Sequence, residues 1–467
     1  MARKLFGTDG IRGKANTYPM TVEVALKIGQ AAGLVFNNGH RKSKIIIGKD
    51  TRLSGYMIES ALAAGLLSVG ADVYFIGPMP TPAIAQITRS FAADAGIVIS
   101  ASHNSYEDNG IKFFDGNGFK LPDEVEEKIE LLFDSEINTE EISGDLIGKA
   151  HRIGDARGRY IEFAKSSINS MSLKGLRIIL DCANGSTYHI TKYILMELGA
   201  YVILRNVNPD GKNINESCGA LHPELLKEDL LREHADVAIA LDGDGDRLIM
   251  LDEKGNVIDG DHILMIAALD MMAENKLKKN TVVVTHYSNL GLTKAIENAG
   301  GKVVKVKTGD RYVLEEMVKE GYNLGGEQSG HIIFLDETTT GDGTIAALQI
   351  LKVMKKTKKK LSELASTMEK FPQVHLKVNV AERKELHELP NVSAKIIEIE
   401  DKLGGFGRVL VRPSGTENLL RIMVEGSDEG IIQSYAEEIA EEVRKEIENI
   451  QSNPEQIVEE VVKEIGN

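Results

Sequence analysis

One pattern occurs three times along this chain and limits the folds open to it. LLSVGADVYFIG (66–77) returns as LMELGAYVILRN (195–206) and, more loosely, as IENAGGKVVKVK (296–307). Each copy reads as a helix end, a glycine at the C-terminal cap and a valine-containing strand. Each follows an apolar strand, at 45–47, 178–180 and 282–284, by a similar interval. The copies lie a domain's length apart, not a solenoid repeat's. Chance resemblance between αβ junctions is the competing reading, and three α/β domains of one type in tandem is the preferred one.

Through residues 1–155 the patterns alternate: strand 45–47, helix 54–69, strand 73–76, helix 80–91, then a buried strand at 97–99. Such alternation predicts parallel βαβ units. A glycine-bounded segment at 154–158 precedes a helix at 160–168 and opens a second domain, 156–253. Its strands at 236–241 and 248–251 flank an acidic loop. The turn at 252–256 leads to a helix at 262–272 and a third domain, 254–370, which ends in a helical region at 343–370. The basic run 355–360 within it reads as a solvated helix end. After Pro372 the period changes: strand 374–380, helix 394–403, strands 408–411 and 421–424, and a long amphipathic helix from 431. Residues 371–467 therefore read as a smaller α+β domain. Pro454 interrupts its last helix and leaves an amphipathic tail. The fold class is α/β: three related domains with mixed, largely parallel sheets, plus a C-terminal α+β domain.

Composition narrows the function. A formal charge of −15 without a long basic patch argues against nucleic acid as a partner. Anionic substrates stay open, because a cleft can be basic inside an acidic molecule. Two cysteines, Cys182 and Cys218, exclude a disulfide framework or thiolate cluster. The start MARKLFGTDGIRG lacks the apolar core of a signal peptide, and no run of 18 apolar residues suggests a membrane span. A cytoplasmic protein is the expectation.

Four segments carry chemistry. In GIVISASHNSYEDNGIKFF (96–114) an apolar strand ends in small polar residues, placing the Ser102 hydroxyl beside His103 and Asn104 at the lip of a sheet. The alternative is a capped turn. Asp242-Gly-Asp244-Gly-Asp246-Arg247 sets three carboxylates at alternate positions, able to converge on one small hard cation. An EF-hand is disfavoured although Glu253 falls at the twelfth position: Arg247 stands where glycine is needed, Met250 is a poor ninth residue, and strands flank the loop. Arg412-Pro-Ser414-Gly415-Thr416-Glu417-Asn418, with Arg421 beyond, can cradle a phosphate dianion or can be a decorated turn. Gly325-Gly-Glu327-Gln328-Ser329-Gly330-His331 suits hydrogen bonding to sugar hydroxyls. GTDGIRG (7–13) and GKDTR (48–52) add cationic groups near Ser102 if their strands share its sheet.

Together these segments, in this order and spacing over essentially the whole chain, resemble the α-D-phosphohexomutase family. GTDGIRG and GEQSGH look most like its amino-sugar branch. Two departures stand beside functional residues: Ser105 and Asn418 occupy places where the family often has proline. The resemblance implies four domains around a central cleft and a phosphoserine at Ser102. It implies one Mg²⁺ per subunit on Ser102, Asp242, Asp244 and Asp246. Lys112, His331, Arg12 and His103 join Ser102 as candidate catalytic groups. Arg247, Glu327, Ser329, Arg412, Ser414, Gly415, Thr416 and Arg421 are candidate substrate ligands. The implied reaction interconverts glucosamine 6-phosphate and glucosamine 1-phosphate through a 1,6-bisphosphate that also serves as activator, feeding UDP-N-acetylglucosamine and cell-wall precursor synthesis. The implied partner is a phosphosugar, without nucleic acid or membrane, and a homodimer is the candidate assembly. The competing readings are a phosphoglucomutase or phosphomannomutase, a Mg-dependent phosphosugar phosphatase, and a non-catalytic phosphosugar binder.

Overall fold

The computed structural model describes residues 5–452 apart from 8, 38, 40, 381–383 and 415–417. Its chain forms two compact units, one of residues up to 288 with 295–368, the other of 289–294 with the chain from 369 onward.

The larger unit holds three sheets. The first comprises β1 (Ile11–Lys14), β2 (Lys44–Lys49), β3 (Asp72–Pro78), β4 (Ala95–Ile99), β5 (Asp108–Asp115) and β6 (Ala150–Arg152), in the order β1-β5-β4-β2-β3-β6. The second comprises β7 (Arg177–Asp181), β8 (Tyr201–Arg205), β9 (Val237–Leu241), β10 (Leu248–Leu251) and β11 (Val257–Ile258), ordered β11-β10-β9-β7-β8. The third comprises β12 (Thr281–Thr285), β13 (Lys302–Val306), β14 (Leu324–Gly326) and β15 (Ile332–Phe334), ordered β13-β12-β14-β15.

One arrangement underlies all three. A central strand (β2, β7 or β12) lies parallel between two others, and the third strand turns back into an antiparallel fourth. The repeated sequence pattern supplies β3, β8 and β13, so the repeat is structural. β4, β9 and β12 are buried at every position, as expected for apolar strands covered on both faces. In the first domain Ile45, Ile47, Ile97 and Ile99 meet Ile28 and Leu62 in one core.

Two helix boundaries differ from the sequence reading. The helix expected from 160 begins at Ala156, because its first turn is polar and carries no periodic signal. The region 343–370 is two helices, Gly343–Thr357 and Leu361–Ala365, because Lys358 turns left-handed (φ 58°) and ends the first.

The smaller unit is an antiparallel sheet of β16 (Gln373–Asn379), β17 (Arg408–Pro413) and β18 (Leu419–Glu425), ordered β16-β18-β17. Helices Pro390–Leu403 and Glu429–Ser452 cover one face, where Val378, Leu420 and Ile422 pack on Ile399 and Ile439. The first of these starts four residues before the expected 394, with Pro390 at the opening position where proline's missing N–H is harmless. The tail after Pro454 lies outside the described residues. Among those described, no helix is long and apolar enough to cross a membrane.

One buried carboxylate ties helix to helix. Asp342 caps Gly343–Thr357 by accepting from Ile345 N–H (2.9 Å) and also accepts from the Tyr160 hydroxyl (2.7 Å). Burial pushes its carboxyl up to about 6. Its folded value exceeds the unfolded one, so its contribution to stability is complete below about pH 4 and is lost as pH rises through the folded value. Asp342→Asn keeps an oxygen that can cap. Denaturant melts across roughly pH 4 to 7 should therefore shift the stability difference in the variant's favour, most steeply below the folded value. A difference that stays flat would remove Asp342 from the pH response.

Candidate active site

The three domains of the larger unit present the same loop, the one joining third strand to fourth: 100–107 after β4, 242–247 after β9 and 327–331 after β14. These carry Ser102, the acidic triplet and the Glu327 segment.

Ser102 is buried and sits at φ 50°, in the left-handed region that serine rarely occupies without cause. The cause is a clamp on its backbone. Arg52, fully buried, donates Nη2–H to the carbonyls of Ser102 (2.8 Å) and Asn104 (2.9 Å). Its Nη1 serves Asp108 O (3.1 Å) and Ser105 O, and its Nε–H bonds Asp50 Oδ2 (2.7 Å). Asn215, from the second domain, donates to the same Ser102 and Asn104 carbonyls at 2.9 and 3.0 Å. Ser102 N–H donates to Ser100 Oγ, which donates to Asp50 Oδ2. The loop thus holds its shape with Ser105 in place of proline.

The Ser102 hydroxyl donates to Asp242 Oδ2 at 2.7 Å. Asp242, Asp244 and Asp246 are all buried and each offers one oxygen within 4.8 Å of the others. Close approach depends on Gly243, where a Cβ would lie 2.7 Å from Ser102 O and 2.8 Å from Asn215 Nδ2. Burial, then Asp246 and Asp244, push the Asp242 carboxyl well above the usual range. Oδ1 of Asp244 and of Asp246 are buried and take no hydrogen bond among the described residues. Oxygen ligands, mutual repulsion and orphaned acceptors are what a small divalent cation would satisfy, so the triplet can hold a metal.

Cations surround it. Lys112 Nζ stands 3.0 Å from Asp244, 3.1 Å from Asp9 and 3.9 Å from Asp246. Burial works against its charge, but Asp244 and Asp9 outweigh it and hold the ammonium above the ordinary lysine value. Arg12 pairs with Asp9, and Lys120 bridges Asp9 (2.6 Å) to Asp310. Arg247 donates its backbone N–H to Asp242 Oδ1 (3.1 Å). The side-chain Nε atoms of Arg12 and Arg247 are buried without a hydrogen-bond partner among the described residues. His103 Nδ1 is 3.4 Å from Ser102 Oγ; burial, then Arg247 and Arg12, push this imidazole down to about 4, so it is neutral near pH 7. Thr81, at a helix start, donates Oγ1–H to Asp244 Oδ2 (2.7 Å).

His331 pairs with Arg247 in a β-bridge, and its Nδ1 faces Asp246 at 3.6 Å. Its Nε2 accepts from Gly341 N–H (3.2 Å), so protein groups occupy both ring nitrogens. Glu327 accepts from Gly309 N–H (3.1 Å) and, at 3.4 Å, from the exposed Ser329 hydroxyl.

In the smaller unit Arg412 on β17 lies opposite Arg421 on β18, and Arg421 lies opposite Lys377 on β16. Opposed residues share a face, and like charges so placed repel unless an anion joins them. Ser414 is buried with its hydroxyl unpartnered among the described residues. Gly415 and Thr416 lie outside the described residues.

The sequence reading singled out Ser102, the triplet and most of the cations. It took GKDTR only as a source of charge near the serine and missed Arg52's grip on the loop. Thr81, Asn215, Lys120 and Asp310 it missed entirely, because each is isolated in sequence and meets its partner more than a hundred residues away.

The class that this fold and site define is a four-domain sugar-phosphate mutase. Models of phosphoglucomutase/phosphomannomutase α/β/α domains I, II and III match residues 3–140, 158–255 and 259–371, and that of the C-terminal domain matches 376–442. The chain belongs to the phosphoglucomutase/phosphomannomutase family. It is 56% identical over 447 residues to the phosphoglucosamine mutase of Geobacter metallireducens, covering 95% of this chain and 99% of that one. Among solved structures it resembles a family member from Burkholderia thailandensis (TM-score 0.77, 23% identity, 95% and 97% covered). It also resembles the N-acetylphosphoglucosamine mutase of Aspergillus fumigatus, solved with GlcNAc-6P and magnesium (TM-score 0.66, 19% identity, 95% and 96% covered).

Arg52→Met should remove the clamp, lowering stability by about 3–5 kcal/mol, the cost of leaving buried partners unpaired. Arg52→Lys should not rescue it, because an ammonium lacks the planar fork. Melting temperature and kcat report both effects, and wild-type kcat in Arg52→Met would show that the loop holds itself.

Proposed function

We propose that this chain is a phosphoglucosamine mutase, interconverting glucosamine 6-phosphate and glucosamine 1-phosphate, as the name of its relatives states. The observation that carries the chemistry is the 2.7 Å hydrogen bond from Ser102 Oγ to Asp242 inside a three-carboxylate cluster ringed by cations. Ser102 is the phosphoryl carrier. As a sugar hydroxyl oxygen bonds to phosphorus, the Ser102 Oγ–P bond breaks. The hydroxyl's proton is balanced by the one that Oγ takes up. The resulting 1,6-bisphosphate turns over and returns its other phosphoryl group by the reverse steps. Magnesium on Asp242, Asp244, Asp246 and a phosphoserine oxygen would neutralise charge on the transferring group.

Lys112 keeps its proton and stabilises charge on the transferring group, with Arg12 and Arg247 beside the reacting phosphate. His103, neutral and near Oγ, orients the hydroxyl. His331, held on both sides by protein, positions Asp246. Glu327 and Ser329 read the sugar ring. We assign the phosphate that does not react to Arg412, Ser414, Gly415, Thr416 and Arg421, a second anion site that a hydrolase would not need. The domain division at 155, 253 and 370 and a cytoplasmic location belong to the same reading.

Chelation by EDTA should silence turnover and added Mg²⁺ should restore it. Asp244→Asn should lower kcat far more than it raises KM; a loss confined to KM would assign Asp244 to ordinary binding. The assignment of substrate is tested by kcat/KM for glucosamine, glucose and mannose phosphates, with a hexose bisphosphate as activator. Glucosamine phosphate should lead by roughly ten- to a hundred-fold or more, the worth of a polar contact left unpaired by the competitor. If glucose or mannose phosphate leads, the chain is a hexose mutase.

A further inference from the structure

Asp310 opens the helix Asp310–Glu320 of the third domain, and none of the motifs above includes it. Its Oδ2 is held by Lys120 and faces His331 Nε2 at 3.5 Å, and Oδ1 has no protein partner among the described residues. The side chain keeps 18% of its surface exposed, while the nearby Lys112 and Asp244 are nearly enclosed. Lys120 also bonds Asp9, so one ammonium serves two carboxylates and leaves Asp310 part of its charge.

The helix start is fixed beside the sugar loop. Gly309, immediately before Asp310, donates its N–H to Glu327 Oε1 at 3.1 Å, and its φ of 130° is one that other residues rarely adopt. Glu327 spends its oxygens on Gly309 N–H and Ser329, and hydroxyls at carbons 3 and 4 do not distinguish glucosamine from glucose. A reader of carbon 2 must therefore come from a neighbour of Glu327. A charged oxygen without a partner suits an ammonium group far better than a neutral hydroxyl.

We propose that Asp310 Oδ1 receives the protonated 2-amino group of the substrate and so determines the preference for the amino sugar; this rests on the amino-sugar reading above. The test uses protein silenced by Ser102→Ala, with calorimetric Kd values for glucosamine 6-phosphate and glucose 6-phosphate, with and without Asp310→Asn. The preference for the amino sugar should fall about ten- to a hundred-fold, through weaker binding of glucosamine 6-phosphate. An equal loss for both sugars would make Asp310 only a support for Lys120 and overturn the proposal, as would no change. Should Asp310→Asn melt early, Asp310→Ser gives the same comparison with the same outcomes. If the Ser102→Ala parent itself shows no preference, the amino-sugar reading fails and this inference with it. A preference that survives loss of the carboxylate overturns this inference alone.

Discussion

Asp242, Asp244 and Asp246 lie buried within 4.8 Å of one another, and a buried charge costs several kcal/mol unless it is paired. Much of the surrounding structure answers that demand. Lys112 reaches two of the three, Thr81 and the Arg247 N–H donate to them, and the serine hydroxyl bonds a third carboxylate oxygen. The compensation propagates outward: Lys112 also needs Asp9, Asp9 holds Arg12 and Lys120, and Lys120 meets Asp310. Charges alternate in sign from the second domain through the first and into the third. Two acceptors, on Asp244 and Asp246, stay unanswered among the described residues, and they mark where the triplet can take a cation.

The triple repeat explains why so little of the chain is spent on the site. In each repeat the antiparallel return of the third strand projects one loop from the sheet. Three copies of one fold thus present three loops of different chemistry, a hydroxyl, a carboxylate triplet and the Glu327–Ser329 pair. Divergence needed to act only on those few residues, while β4, β9 and β12 stayed apolar for packing.

The loops and the repeat were legible in the sequence because their signals are local. Asp-Gly-Asp-Gly-Asp shows its spacing at once, and an apolar strand ending in Ser-Ala-Ser-His-Asn shows its edge. The helix starts at Ala156 and Pro390 were not legible, since a polar first turn or a proline carries no buried face. Nor was Asn215, whose side chain acts 113 residues away on the carbonyl of Ser102. Lys120 and Asp310, 190 residues apart, look like ordinary surface charges until the third domain brings them together. Partnerships across domains leave no periodic trace in either partner's own segment.

The clamp on Ser102 has a consequence for tempo. Its carbonyl is gripped from two domains, by Arg52 and Asn215, and its N–H is tethered to Ser100. If Ser102 carries the phosphoryl group as proposed, its main chain is already held in place before the hydroxyl is loaded. Apart from making and breaking the Oγ–P bond itself, the proposed cycle asks of this residue only rotation about its Cα–Cβ and Cβ–Oγ bonds, a motion many orders of magnitude faster than loop or domain rearrangement. The pace of successive turnovers is then left to the reorientation of the sugar and to the domains around it, with the carrier ready at every cycle.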